Sequence, residues 1–291
     1  MIRSSELILN PDGSVFHLHL LPEQIAGTII LVGDPDRVEM VSSHFDRIEI
    51  KIQNREFVTH TGTYRGHQIT ALSTGIGTDN VDIVMNELDA LVNLDMETRR
   101  PKSELKRLNL IRLGTSGSIQ PEISIGTFLL TEKAIGFDGL LNYYARCDDG
   151  ADLALQSAFT EYVNWDSRLP QPYVVNADRE LFEQFTGQEV TTGITISASG
   201  FYGPQGRTIR LPLAHPSLNE KIMKFRFGTK KVTNFEMESS AIYGLASLLG
   251  HRAVTLCAII ANRKTGEFLG EYKSLIQRLI VFSLNRIAGK R

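Results

Sequence analysis

Cysteine is nearly absent. Cys147 and Cys257 are the two in 291 residues, far apart and outside any Cys-x-x-Cys spacing, which argues against a disulfide framework and a thiolate metal site. Both are expected to be reduced, with Cys257 in the core. An excess of either charge is missing too, since 31 Lys plus Arg face 33 Asp plus Glu. Without a net field to hold a polyanion, nucleic acid is not an expected partner. No run approaches the ~18 apolar residues of a membrane span, and Met1–Glu6 carries no apolar signal core. No membrane association is expected, and a cytoplasmic location is. The Walker pattern is absent, and Gly75-Ile-Gly77 is followed by Asn80 where a dinucleotide fingerprint needs its third glycine.

What remains is a globular composition, 42% hydrophobic and 22% charged, long enough to build a core without staples. Thr28–Val32 is a continuous apolar, β-branched run that reads as a buried strand. Two strands are expected between Asp46 and Tyr64, broken at Asn54-Arg55-Glu56, and another at Ile69–Ser73. A helix from about Asp79 to Leu94 follows from Val81, Val84, Met85, Leu88 and Leu91, the spacing of one buried face. Further strands are expected at Leu108–Leu113, closed by Gly114-Thr-Ser-Gly117, and at Gly126–Ile135, Val190–Ser197 and Ala253–Ala261. Helices are expected over Met237–Leu249, stopped by Gly250, and over Tyr272–Ala288. Strands and helices alternate without a linker or repeat. The expected fold is therefore α/β, a single domain over 1–291 with a central mixed β-sheet flanked by helices. Residues 95–107, charge-rich with Pro101, read as a surface insertion, and 138–188 as an irregular, aromatic-rich segment over one end of the sheet.

Several stretches carry chemistry. Gly33 ends a strand, Asp34 reads as a helix cap and Pro35 as the first helical residue, so backbone amides there can hold an anion with Arg37 one turn in. Arg112 sits in an apolar strand and needs an anionic partner, because a guanidinium cannot shed its proton to relieve burial. Phe201-Tyr-Gly-Pro-Gln-Gly-Arg207 offers a ring, an amide and a guanidinium within one loop, which suits a flat heterocycle, although an ordinary Pro-Gly loop would look similar. Glu236-Met237-Glu238 places two carboxylates two residues apart. They suit general acid/base work, or simply an acidic first helical turn favoured by the helix dipole. His17-Leu-His19 would aim two imidazoles to one side of an extended segment, with no third ligand at a metal spacing.

Taken together, Val32-Gly-Asp-Pro-Asp-Arg37, Arg55-Glu-Phe57, Ser73-Thr-Gly-Ile-Gly77, Arg112-Leu-Gly-Thr-Ser-Gly117, Phe201–Arg207, Asn234-Phe-Glu-Met-Glu-Ser239 and Ala261-Asn-Arg263 resemble the hexameric-type nucleoside phosphorylase family on its uridine phosphorylase branch. The resemblance runs in order from about His17 to Arg263. It implies phosphorolysis of uridine, with inorganic phosphate as co-substrate and no cofactor or metal carried over. It implies a phosphate site of Gly33, Arg37, Arg112 and Thr115, completed by Arg55 from a neighbouring subunit. It also implies a ribose site of Glu236, Met237 and Glu238, completed by His17 across the interface, and a base site of Phe201, Gln205 and Arg207. Arg112, Gln205, Arg207 and Glu238 would carry catalysis, and a homodimer would be the minimal active unit, with a hexamer built as a trimer of dimers.

The resemblance further implies that purine-specific relatives carry a catalytic aspartate after the last core strand, where this chain has Asn262-Arg263. Ala261 replaces a bulkier aliphatic residue near the base, so 5-methyl pyrimidines are expected to fit. A purine nucleoside phosphorylase, a nucleoside hydrolase, a glycosidase using Glu236 and Glu238, and a non-catalytic nucleoside-binding protein remain as alternatives.

Overall fold

A computed structural model describes residues 2–145 and 151–289. Cys147 lies outside the described residues. In chain order the elements begin β1 (Thr28–Val32), α1 (Asp36–Ser42), β2 (Arg47–Asn54), β3 (Phe57–Tyr64), β4 (His67–Ser73), α2 (Thr78–Asn93), β5 (Leu94–Asp95), β6 (Arg100–Pro101), β7 (Asn109–Ser118) and β8 (Phe128–Gly136). They continue with α3 (Leu153–Val163), β9 (Tyr173–Asn176), α4 (Arg179–Phe185), β10 (Val190–Ser197), α5 (Leu218–Lys224), β11 (Arg226–Phe227), β12 (Lys230–Glu236), α6 (Ser239–Leu249), β13 (Arg252–Asn262), β14 (Glu267–Phe268) and α7 (Lys273–Ile287).

The main sheet runs β11-β12-β10-β8-β13-β7-β1-β4-β3-β2, with parallel and antiparallel pairs mixed. It also closes on itself. β12 pairs antiparallel with the end of β7, Asn234 facing Ser118 and Phe235 facing Gly117, so β7, β13, β8, β10 and β12 form a ring. Register shifts between Gly193 and Ile194 and between Ile259 and Ala261 supply the local bending that closure needs.

The side-chain period of a strand explains the layers. In β1, Ile29 and Leu31 join one hydrophobic cluster, and Ile30 and Val32 join another on the opposite face. The first cluster takes α2 and α6, the second α1, α4 and α7. On α2, Val81, Val84, Met85, Leu88 and Leu91 are all fully buried, each stabilising the packing by on the order of 2 kcal/mol. A third cluster under α3 and α5 gathers Phe137, Phe159 and Phe225.

Two expectations need correction, and a third gains detail. β7 continues through Gly114–Gly117 to Ser118, because those small residues let β12 and β13 pair on its two sides. The segment 138–188 contains α3 and α4, and also the strand β9, which joins the sheet beside β8. Residues 95–107 are mostly exposed but fold back as the β5–β6 hairpin. Arg99 there donates to the Leu7 carbonyl at 2.6 Å. Among the described residues no helix is long and apolar enough to cross a membrane.

Candidate active site

A cavity of about 800 Å³ opens at the ends of β1, β7, β12 and β13. In α/β sheets the carboxyl ends of parallel strands leave such a crevice. Ten of the sequence-predicted site residues line it: Gly33, Arg37, Arg112, Thr115, Phe201, Gln205, Arg207, Glu236, Met237 and Glu238.

Arg112 is one of them, and the anion it requires is found in the acid pair. Its Nη2 donates to Glu238 Oε2, and its Nη1 is 3.3 Å from Glu236 Oε2. Burial disfavours the guanidinium charge, but Glu238 and Glu236 outweigh burial and raise Arg112 above its ordinary range. Nη1 also approaches Cys257 Sγ at 3.5 Å.

The two acids have different duties. Glu236 ends β12 and accepts the backbone N–H groups of Glu238 at 3.0 Å and of Ser239 at 3.0–3.1 Å, besides the Ser197 hydroxyl. It thus satisfies donors at the start of α6. Because these bonds curl Met237 and Glu238 into a turn, the helix begins at Ser239 rather than at Met237. Glu238 Oε1 accepts the Gly77 N–H at 2.7 Å, so both of its oxygens face donors. Burial pushes its carboxyl up, and the Arg112 guanidinium opposes that shift.

Arg37 is buried beside Arg112, its Nη1 3.5 Å from the Leu113 carbonyl. Burial lowers its pKa, Asp34 counters, and Arg112 adds repulsion. Two neighbouring guanidiniums with residual repulsion suit a shared anion. The helix α1 begins at Asp36, one residue later than expected, because Asp34 accepts the Asp36 N–H at 3.0 Å and forms a separate turn first.

At the other end of the cavity the Arg207 guanidinium stacks over the Phe201 ring at 3.9 Å from its centroid. It also donates to the Phe201 carbonyl at 2.6 Å and to the buried Gln205 side-chain oxygen.

Sequence reasoning gave Arg263 no role. Its guanidinium lies 5.4 Å from the Phe235 ring centroid, lines the cavity, and keeps Nη1 buried with no hydrogen-bond partner. Burial, reinforced by Arg207, pulls its pKa down to about 10, so it remains charged at neutral pH. The signal was available, since Arg263 is a cation closing an apolar strand, as Arg112 is a cation within one.

Asn262, by contrast, is committed to the scaffold. Its amide donates to Gln120 O at 3.0 Å and Ile123 O at 2.9 Å, and its oxygen accepts from Lys264 N at 2.9 Å and Thr265 N at 3.1 Å.

His17 and Arg55 do not line this cavity. They belong to neighbouring segments away from it. Asn54 donates to the His17 carbonyl at 2.7 Å, and Arg55, at φ 54° in the β2–β3 turn, lies 5.5 Å from the Phe16 ring centroid. The extended His17–His19 segment is a turn instead, with His19 at φ 55°. Glu87 causes the turn by accepting the N–H of His17 and of Leu18, at 3.0 and 2.8 Å, while holding His17 Nδ1 at 2.6 Å. His19 is left beside Asp12 at 3.2 Å.

The chain is similar over most of its length to proteins of known activity. A uridine phosphorylase of Thermococcus kodakarensis is 32% identical over 271 residues, 91% of this chain and 83% of that one. A uridine phosphorylase of Haemophilus influenzae is 28% identical, over 88% of this chain and 90% of that one. The solved structure of a Trypanosoma brucei nucleoside phosphorylase, described as showing uridine phosphorylase activity, superposes with a TM-score of 0.88 at 30% identity, covering 97% of this chain and 99% of that chain. The profile of the phosphorylase superfamily matches residues 28–281, and the chain belongs to that family.

Proposed function

We propose that this chain catalyses the reversible phosphorolysis of uridine to uracil and ribose 1-phosphate. The observation that carries the reading is the content of one cavity: paired guanidiniums (Arg37, Arg112), two buried carboxylates around Met237, and a stacked aromatic–guanidinium pair with a buried amide. Phosphate, sugar and base each find matching chemistry there. Arg37 and Arg112, with backbone amides near Gly33 and Thr115, hold phosphate against the anomeric carbon. Glu238 accepts from ribose hydroxyls, and Met237 gives the sugar a polarizable floor.

As the C–N bond breaks, positive charge grows on the ribose and negative charge on the base. Phosphate offsets the first. Gln205, Arg207 and Arg263 stabilise the second, and the departing uracil takes its proton from solvent. No side-chain nucleophile is needed. Glu238 transfers no proton, since both its oxygens already face N–H donors.

His17 and Arg55 reach the site from a partner subunit in this reading, which makes a homodimer the smallest active unit, with a trimer of dimers as the larger assembly. The small Ala261 side chain leaves room beside the base, so thymidine and 5-methyluridine are also substrates. Two relatives named uridine phosphorylases and a structural neighbour described with that activity support the pyrimidine assignment. The saturated Asn262 amide supports it too, because it has no free proton to give a purine.

The test is base release from uridine, thymidine and inosine, each with and without phosphate. Phosphate-dependent release from uridine is expected, and release from inosine alone would overturn the reading. Uracil release without phosphate would indicate a hydrolase.

A further inference from the structure

Arg112 and Gly114 lie two residues apart on β7, so they face the same side of the strand. The Arg112 side chain folds forward over Gly114. A Cβ built on Gly114 would lie 2.2 Å from Arg112 Nη1, 2.9 Å from Cζ and 3.1 Å from Nη2. Cys257, the β13 residue directly opposite Gly114, closes the side of this trough with its sulfur 3.5 Å from Nη1. Burial pushes that thiol up to about 11, so a neutral sulfur borders the guanidinium.

The long side chain of an arginine would ordinarily swing away from a small intrusion. Here it cannot do so freely. Arg112 is 5% exposed and holds Glu236 and Glu238 at once, so any swing strips two buried carboxylates of their counter-ion.

We propose that Gly114 is a positioning residue for Arg112: its missing side chain leaves the trough in which the guanidinium lies, and a Cβ there turns Arg112 off the anion. The inference deepens the phosphorolysis reading and rests on it for the identity of that anion. Gly114 is required for space, not for a left-handed backbone, and Cys257 completes the trough.

Two measurements test the proposal on wild type, Gly114→Ala, Arg112→Lys and the double variant. The first is the rise in Tm on adding inorganic phosphate, which needs no nucleoside. Wild type should be stabilised and Gly114→Ala should not; equal stabilisation of both overturns the proposal. The second is kcat/KM for phosphate at saturating uridine. Gly114→Ala should lose about 100-fold, the scale of a small misplacement of a binding group. In the Arg112→Lys background, where the side chain is shorter, the same change should cost nothing further. Equal fold losses in both backgrounds, or a fully active Gly114→Ala, overturn the proposal. If Gly114→Ala does not fold, recovery of a native melting transition in the double variant supports it, and an unfolded double variant overturns it. Wild type that gains Tm from phosphate yet releases no base from uridine defeats the phosphorolysis reading alone.

Discussion

The backbone amide of Gly77 donates to Glu238 Oε1 at 2.7 Å across 161 positions of sequence. This bond ties the loop after β4 to the turn before α6, and it occupies one oxygen of an acid whose other oxygen holds Arg112. Gly77 has φ 99°, a conformation that other residues adopt with strain. The loop glycine therefore fixes a carboxylate rather than cradling a dinucleotide.

Glu238→Gln keeps the shape of the side chain but can set an amide donor against Arg112. kcat/KM for uridine should fall by about 100-fold or more, and folding stability by roughly 3 kcal/mol, as expected for a broken buried pair. The pH profile of kcat should keep its shape, because this carboxylate moves no proton. A displaced limb of that profile would restore the acid/base reading of the two glutamates.

Arg263→Met should separate activity from stability. Removing a partly buried cation that repels Arg207 and leaves Nη1 unpartnered should hold or raise Tm. The same change should lower kcat/KM for uridine by about 10-fold or more, as loss of a charge facing the departing base predicts, with little effect on the phosphate KM. Unchanged uridine kinetics would remove Arg263 from the base site.

A shared active site predicts complementation. Arg55→Ala and Glu238→Gln should each be nearly inactive alone. Mixed in equal amounts under conditions of subunit exchange, half of the dimers carry both variants, each with one intact site. Roughly a quarter of wild-type activity should then return, by the statistics of a two-fold assembly. No recovery, with exchange verified by mass spectrometry, would mean that Arg55 serves its own subunit or none.

Burial raises the Cys257 thiol from 9.0 to about 11. Its folded value lies above its unfolded one, so the associated stability is present below about pH 9 and is lost as pH climbs through about 11. Measured against Cys257→Ala, the wild type should therefore lose up to about 2 kcal/mol of stability over that window. A difference that stays constant with pH would show the thiol to be unperturbed.

Elements with a clear period or a continuous apolar run were legible, whereas β12 and α5 were not. The buried face of α2 follows directly from side-chain spacing. β9, β11 and β14 were not legible, because strands of two to four residues have too little period to register, and each depends on a neighbour brought from elsewhere in the chain. Ring closure through β7 and β12 is likewise a tertiary event with no local signature.

In the site, the need of Arg112 for an anion could be read from its strand, but which anion could not, since Glu236 and Glu238 lie more than a hundred residues away. Arg263 was missed because a strand-ending arginine usually faces water. His17 was misread as extended because Glu87, which bends it, comes from another element.

Asn262 limits how this protein could change its substrate. Each of its side-chain hydrogens and its oxygen is already engaged, with two carbonyls on one side and two amides on the other. An ionised Asn262→Asp would bring an oxygen against the Gln120 and Ile123 carbonyls, with no donor to meet it. The single change that would import a purine-type acid thus keeps the turn at 262–265 but gives up the hold on the Gln120 and Ile123 carbonyls. Such a carboxyl is pushed toward its protonated form, whose single O–H can serve one of the two carbonyls and leaves the other without a donor.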